Sequence, residues 1–124
     1  MEPLSLEASA KSPQVMLDGG KGRIEIKGIS DEDDALAFYF PILQWIDNYV
    51  AHPQEKTHVE LDFKYYNTAS AKSIFEVLKR LSQLSKAGKE VTTLWFYPEG
   101  DDNFLSEIEN FSDIAQLPIQ PVEK

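Results

Sequence analysis

Two hydroxyls and an amide stand together where a strand-like pattern meets a helical one, in the segment Asn67-Thr68-Ala69-Ser70. The first N–H groups of a helix lack intrahelical partners, and the helix dipole places partial positive charge there. A hydroxyl at this point can cap the helix, or it can carry a phosphate whose oxygens use the same donors. The residue types alone favour capping, because Ser, Thr and Asn are common capping residues.

Side chains beside this segment could serve either role. Asn67 and Ser70 would shape the helix entry and contribute to a site for a phosphate or a partner, and Lys72 could hydrogen-bond that phosphate or a carboxylate of a partner. Tyr65 and Tyr66 come just before the entry. Packing in the core or on the sheet is the simpler interpretation of these two rings, whereas an exposed tyrosine here would be a natural anchor for a binding partner.

The remaining polar residues give little support to a catalytic or metal site. The glycines of segment 19–22 lack the spacing and the following Ser or Thr of a phosphate-binding loop, so a hairpin turn is the better interpretation. A calcium-binding loop that began at Asp31 would need an oxygen ligand at its third ligand position, where the chain has Ala35. His52 and His58 lack partners for ligation or base catalysis, and no nucleophile and base are arranged as in a hydrolase. We therefore expect no catalytic residue, no metal and no cofactor.

Composition limits the other classes of function. A chain of 124 residues with 42% hydrophobic residues is long enough for one core and too short for two ordinary domains. The net charge of -9 argues against binding to nucleic acid or to an anionic membrane, because both would repel an acidic surface. The N-terminus has neither the basic region nor the apolar run of a signal peptide, and no later run approaches a membrane span. We expect a cytoplasmic protein without membrane insertion.

The first half of the chain predicts a tail, a hairpin and a helix. Residues 1–12 are rich in Ser, Ala, Glu and Pro, so we expect a mobile N-terminal tail, followed by a single domain over residues 13–122. Alternating residues around the 18–22 turn predict a hairpin. Ser30 and the acidic residues after it predict a capped helix entry. The helix would bury an apolar stripe at Ala35, Phe38, Ile42, Trp45, Ile46 and Tyr49.

The second half predicts strands that alternate with helices. Val59, Leu61 and Phe63, with Tyr65 as a further candidate, form the apolar face of a strand. A helix over residues 68–86, a strand over 91–97, a helix over 101–111 and at most an edge strand over 117–122 follow. Clean alternation indicates a sheet covered by helices on one face only. The predicted fold is a two-layer α/β domain with a mixed sheet of four to five strands, and its element order is similar to the STAS (anti-sigma-factor antagonist) fold.

Four segments give the chain a more specific likeness. They resemble the SiaC-like family of bacterial regulatory phosphoproteins, and the resemblance covers most of the chain between residues 14 and 118. The segments are Phe38-Tyr39-Phe40-Pro41-Ile42-Leu43-Gln44-Trp45, Leu61-Asp62-Phe63-Lys64-Tyr65-Tyr66-Asn67-Thr68-Ala69-Ser70-Ala71-Lys72, Ala87-Gly88-Lys89-Glu90-Val91 and Leu94-Trp95-Phe96-Tyr97.

The resemblance implies a function that the residues alone do not. It implies that Thr68 is the phosphorylation site, that a dedicated serine/threonine kinase and a PP2C-type phosphatase act on it, and that the unphosphorylated form binds and activates a diguanylate cyclase. These partners would connect the chain to cyclic di-GMP signalling and biofilm formation. Ala69 departs from the best-known member of the family, which has serine there. The alternative is a constitutive protein-interaction or small-ligand-binding domain in which Thr68 only caps the helix.

Overall fold

The computed structural model describes all 124 residues as six strands and three helices. Their bounds, in chain order, are β1 Leu4–Leu6, β2 Gln14–Asp18, β3 Arg23–Ser30, α1 Ala35–Ala51, β4 Lys56–Tyr66, α2 Thr68–Lys86, β5 Glu90–Tyr97, α3 Asp102–Ala115 and β6 Gln120–Glu123. The three long central strands and the three helices correspond to the strongest patterns in the sequence. Both outer strands, β1 and β6, have four residues or fewer.

All six strands form one sheet in which their order in space equals their order in the chain. The pairs β1/β2 and β2/β3 are antiparallel, and the other three pairs are parallel. Each parallel pair is joined through a helix, and right-handed crossovers that step in one direction place all three helices on the same face. The predicted two-layer mixed α/β fold is confirmed, but the predicted count of four to five strands is wrong. The sheet gains its sixth strand at its N-terminal edge.

This additional strand lies within the segment predicted to be a mobile tail. Leu4 pairs with Leu17 and Leu6 with Val15, which adds β1 to the edge of the sheet. The indole N–H of Trp45 donates to the carbonyl oxygen of Glu2 at 2.8 Å and holds the chain just before β1. The prediction of a tail is therefore wrong for this stretch. Three residues are too few for alternation to predict a strand, and the bond from Trp45 is a tertiary contact.

Helix α1 begins later than its first acidic residue suggests. Its N-cap is Asp34, whose carboxylate accepts from the N–H of Ala37 at 3.1 Å. Ser30 is instead the buried last residue of β3, and its hydroxyl is 2.8 Å from the hydroxyl of Tyr39. Tyr39 replaces Phe38 in the buried stripe, and Pro41 lies inside the helix.

A register shift in the central strands decides which tyrosine faces the helices. Gly28 pairs with Phe63 and the next residue, Ile29, pairs with Tyr65, so Lys64 is left without a partner. The extra residue reverses the alternation, as a bulge does. Tyr66 therefore joins Phe63 on the helix side, and the prediction that Tyr65 continues the apolar face is wrong.

The core lies between the sheet and the three helices. It contains 23 buried hydrophobic residues, and Trp95, Tyr39, Tyr49 and Phe63 are the largest of those that are almost completely buried. The other face of the sheet has no helix and carries charged side chains along β3 and β4. None of the helices has the length and apolar character needed to cross a membrane.

Candidate functional site

Helix α2 begins with Thr68, and the residue before it provides the cap. The side-chain oxygen of Asn67 accepts from the N–H of Ser70 at 2.7 Å, which is N-cap geometry. Thr68 is the first helical residue, its side chain is exposed, and its hydroxyl makes no hydrogen bond within the chain. The assignment of the cap to Thr68 is therefore wrong, whereas the constitutive binding domain of that alternative stays a prediction. An exposed hydroxyl without an internal partner is free for another role.

The entry to α2 is tied to the segment that joins β3 to α1. The side-chain amide of Asn67 donates to the carboxylate of Asp31 at 3.1 Å and to the carbonyl oxygen of Glu32 at 3.3 Å. Its backbone N–H donates to the carbonyl oxygen of Ser30 at 3.0 Å. The hydroxyl of Ser70 donates to the carboxylate of Glu32 at 3.0 Å. These bonds fix the direction in which α2 leaves the sheet, and so they fix where Thr68 is presented.

Ser70 is fully buried, which limits what it can do. Its hydroxyl points inward to Glu32, a carboxylate that also accepts from Ser30 at 2.8 Å. The prediction that Ser70 contacts a partner or a phosphate is therefore wrong, because no outside group reaches this hydroxyl. Glu32 places a negative charge behind the first turn of α2, where the helix dipole stabilises it. Burial, assisted by this charge and opposed by the hydrogen bond with Ser30, raises the pKa of the Tyr39 hydroxyl well above its ordinary value.

The two tyrosines before the entry lie on opposite faces of the sheet. Tyr66 packs against Phe63, Trp95, Phe104 and Phe111, with ring centroids no more than 6.3 Å away. Tyr65 is 52% exposed. Only Tyr66 is thus on the same side of the molecule as the helices and Thr68.

The hydroxyl of Tyr66 donates to the carboxylate of Glu107 on α3. Burial and the charge of Glu107 raise the pKa of Tyr66 well above its ordinary value, so the hydroxyl stays protonated and remains a donor at physiological pH. This bond links the end of β4 to α3. It also fixes the position of a carboxylate on the outer surface.

An apolar groove of about 670 Å³ runs across the helical face beside Thr68. Residues of α2 line it between residues of α1 and α3. Two wall residues, Leu36 and Ile114, are 77% and 69% exposed. The apolar lining consists of Leu36, Leu43, Tyr66, Ala71, Phe75, Phe111 and Ile114.

Polar groups lie along the same groove. Thr68 and Lys72 line it from the first two turns of α2, Glu76 follows one turn later, and Glu107 and Asn110 line it from α3. Lys72, predicted to bind a phosphate or a carboxylate, is exposed and makes no ion pair. The structure thus places Thr68, Lys72 and Tyr66 along one groove, whereas Asn67 supports the entry.

The apolar walls of the groove are the part of the site that sequence reasoning missed. Leu36 and Leu43 lie outside the buried stripe of α1, and Ile114 lies beyond the predicted end of α3. Apolar residues at positions that a helix exposes were the available signal. A single exposed leucine is common on protein surfaces, so the signal becomes clear only when the fold brings several together.

No cluster of three His, Asp or Glu side chains has the arrangement of metal ligands. A contiguous apolar groove with a few polar groups on its edges is typical of a surface that binds another molecule. The site and the fold together define a partner-binding domain.

Comparison with known proteins agrees with this class and gives the family. The family described as "SiaC family regulatory phosphoprotein" matches residues 6–124, so the chain belongs to the SiaC family. A protein of Pseudomonas aeruginosa, strain UCBPP-PA14, which bears only the description of an uncharacterized protein, is 22% identical over 118 residues, covering 95% of this chain and 94% of its own. The chain is accordingly a member of a family described as regulatory phosphoproteins.

Solved structures share the complete fold. SiaC of Pseudomonas aeruginosa matches with a TM-score of 0.89 and 21% identity over 100% of both chains. A chain in the crystal structure of the diguanylate cyclase SiaD in complex with its activator SiaC, from the same organism, matches with a TM-score of 0.90 and 21% identity over 98% of this chain and 99% of that chain. Apo-SiaC matches with a TM-score of 0.86 and 23% identity over 98% and 99% of the two chains. The architecture is that of SiaC.

Proposed function

We propose that this chain is a non-catalytic regulatory phosphoprotein whose unphosphorylated form binds and activates a diguanylate cyclase, and that phosphorylation of Thr68 releases the cyclase. The observation that carries the proposal is the placement of an exposed Thr68 hydroxyl in the lining of an apolar groove. Membership of the SiaC family supports it, since SiaC forms a complex with the cyclase SiaD as its activator. The function would belong to cyclic di-GMP signalling and biofilm control in the cytoplasm.

A phosphate on Thr68 would change the groove while leaving the fold intact. It adds about 1.5 to 2 negative charges and three acceptor oxygens at a helix N-terminus, where the dipole stabilises an anion. A partner that covers the groove would meet a bulky dianion in place of a small hydroxyl. Losing about 3 kcal/mol at the centre of an interface lowers affinity more than about a hundredfold. The phosphate therefore acts on the complex and only weakly on the stability of the domain.

The modifying enzymes in this proposal are a serine/threonine kinase and a PP2C-type phosphatase. Thr68 is exposed at the start of α2, so its hydroxyl is accessible to both, whereas Ser70 two residues later is buried. Ala69 is also exposed, and a kinase that contacts the residue after the phosphoacceptor would find a methyl group there. Specificity for Thr68 over Ser70 follows from burial.

Phosphopeptide mapping of the chain isolated from its native cells tests the modification. We expect phosphate on Thr68 and none on Ser70, in a proportion that changes with growth conditions. A Thr68→Ala variant from the same cells provides the control, since it should yield no phosphopeptide from this segment. Thr68 without phosphate under every condition would contradict the proposal.

Titration of the purified cognate diguanylate cyclase with this chain tests whether the chain activates the enzyme. The wild-type chain should increase cyclic di-GMP synthesis in proportion to the complex formed, and Thr68→Glu should fail to do so. Ser85→Glu is the matched control, because Ser85 is an exposed hydroxyl near the other end of α2. Equal activation by wild type and Thr68→Glu would favour a constitutive adaptor instead.

A further inference from the structure

Only one of the charged residues that line the groove has an ion-pair partner. Lys72, Glu76 and Glu107 are its three charged residues. Glu76 forms an ion pair with Arg80 at 2.7 Å. Lys72 has no ion pair, and Glu107 accepts only from the neutral hydroxyl of Tyr66. The groove thus has one free positive charge on α2 and one free negative charge on α3.

The positive charge lies next to the phosphoacceptor. Lys72 follows Thr68 by four residues on α2, so the two side chains are neighbours one turn apart, with their Cβ atoms about 5–6 Å from each other. The dipole of α2 adds positive potential at this end, and the charges of Asp31 and Glu32 at the base of the entry oppose it. The acidic residues 31–34 contribute nothing to the lining. A carboxylate that enters the groove at this end therefore finds Lys72 as its partner.

We propose that the groove selects a segment of the cyclase that is apolar along its length, with an acidic side chain facing Lys72 and a basic side chain facing Glu107. This inference rests on the proposed function and specifies the chemistry of the partner. The apolar part would cover Leu36, Phe111 and Ile114, which supply the contact area. The two opposite charges fix the direction in which the segment lies, because a reversed segment would meet like charges at both ends.

This charge pattern also explains how one phosphate releases the partner. A phosphate on Thr68 pairs with Lys72 across one helical turn and leaves a net negative charge where a positive one stood. The acidic side chain of the partner then faces an anion. Glu107 and the apolar walls keep their charge and shape. The switch reverses the sign of one end of the groove.

Charge reversal without phosphate tests the inference. In chains with unmodified Thr68, we expect Lys72→Glu and Glu107→Lys each to weaken binding to the purified cyclase about tenfold or more. Lys79→Glu is the matched control, since Lys79 is an exposed lysine on α2 that does not line the groove. The affinity of this variant for the cyclase should stay within about twofold of wild type. Added salt should weaken wild type more than Lys72→Glu. Thermal unfolding establishes that each variant is folded.

The same titration separates failure of this inference from failure of the proposed function. If Thr68→Glu loses binding while folded Lys72→Glu and Glu107→Lys bind as wild type does, the charge pattern is wrong and the phosphorylation switch stands. If Lys72→Glu and Glu107→Lys lose binding while Thr68→Glu keeps it, the charge pattern stands and the switch at Thr68 is wrong. If Lys79→Glu loses as much affinity for the cyclase as Lys72→Glu does, the inference is contradicted, since binding would then respond to net charge alone.

Discussion

At the scale of single residues, adjacent side chains at the entry to α2 have different roles. Asn67 caps the helix and binds Asp31, Ser70 binds Glu32 inside the protein, and Thr68 between them makes no internal bond. Structural support and functional exposure are thus assigned to different side chains. Thr68 can be modified or replaced without loss of the cap.

Substitutions of Asn67 and of Thr68 should therefore differ in their effect on stability. We expect Asn67→Ala to lower the free energy of unfolding by about 1 kcal/mol or more, because it removes the cap and the bond to Asp31. Thr68→Ala should change it by less than about 0.5 kcal/mol, as is usual for a surface position without special contacts. Urea denaturation of both variants measures this difference. A larger loss in Thr68→Ala than in Asn67→Ala would show that the threonine supports the fold.

The open face of the sheet holds a small charge network that does not involve the groove. Glu60 on β4 lies 2.7 Å from His58, and it also pairs with Arg23 at 3.3 Å and Lys27 at 3.4 Å. The hydrogen bond with His58 and the charge of Lys27 lower the pKa of Glu60 in the folded protein, against the opposing effect of burial. A lowered folded pKa means that the ionised group stabilises the fold.

The pH dependence of Glu60→Gln tests this network. The stabilisation is complete above the ordinary pKa of 4.5 and is lost as the pH falls through the lower pKa of the folded state. At neutral pH we expect the variant to be less stable by up to about 1 kcal/mol, and we expect the difference to close in acid. Denaturation at several pH values measures it, with the exposed Glu99→Gln as control. A difference that is constant down to acidic pH would contradict the role of ionised Glu60.

At the scale of elements, the groove depends on where three helices place apolar side chains. Leu36 belongs to α1 and Ile114 to α3, and residues of α2 line the groove between them. Neither side chain is needed for the core, because both are largely exposed. Their exposure is therefore best explained by a surface that another protein covers.

Polar substitutions of the two walls should separate binding from folding. We expect the double variant Leu36→Ser and Ile114→Ser to weaken binding to the cyclase about tenfold or more, while its unfolding midpoint stays close to that of wild type. Met16→Ser is the matched control, since Met16 is also an exposed apolar residue and lies on the sheet, away from the groove. Calorimetric titration compares the three proteins. Unchanged affinity in the double variant would place the partner on another surface.

Periodicity predicted the elements better than it predicted their ends. The long strands β3, β4 and β5 and all three helices were recognisable because alternation and a 3.6-residue repeat extend over many residues. Strand β1 was missed because its three residues depend on pairing with β2. The position of Tyr66 was missed because the shift at Gly28 involves two strands at once. The groove combines residues from separate helices, so only the assembled fold shows it.

At the scale of the whole molecule, one layer of helices leaves each face of the protein with a distinct character. The helical face combines the groove with Thr68, and the opposite face carries the charges around Glu60. All three helices lie on one side because each crossover steps in the same direction along the sheet. A partner that binds the helical face therefore covers Thr68 and the groove together.

The affinity of the cognate diguanylate cyclase for the chain phosphorylated at Thr68, compared with the unmodified chain, tests the central claim most directly. Calorimetry should give a fall in affinity of more than about a hundredfold on phosphorylation. Thr68→Ala treated with the same kinase should keep the affinity of the unmodified protein. If the phosphorylated chain binds the cyclase as tightly as the unmodified chain does, Thr68 is not the switch.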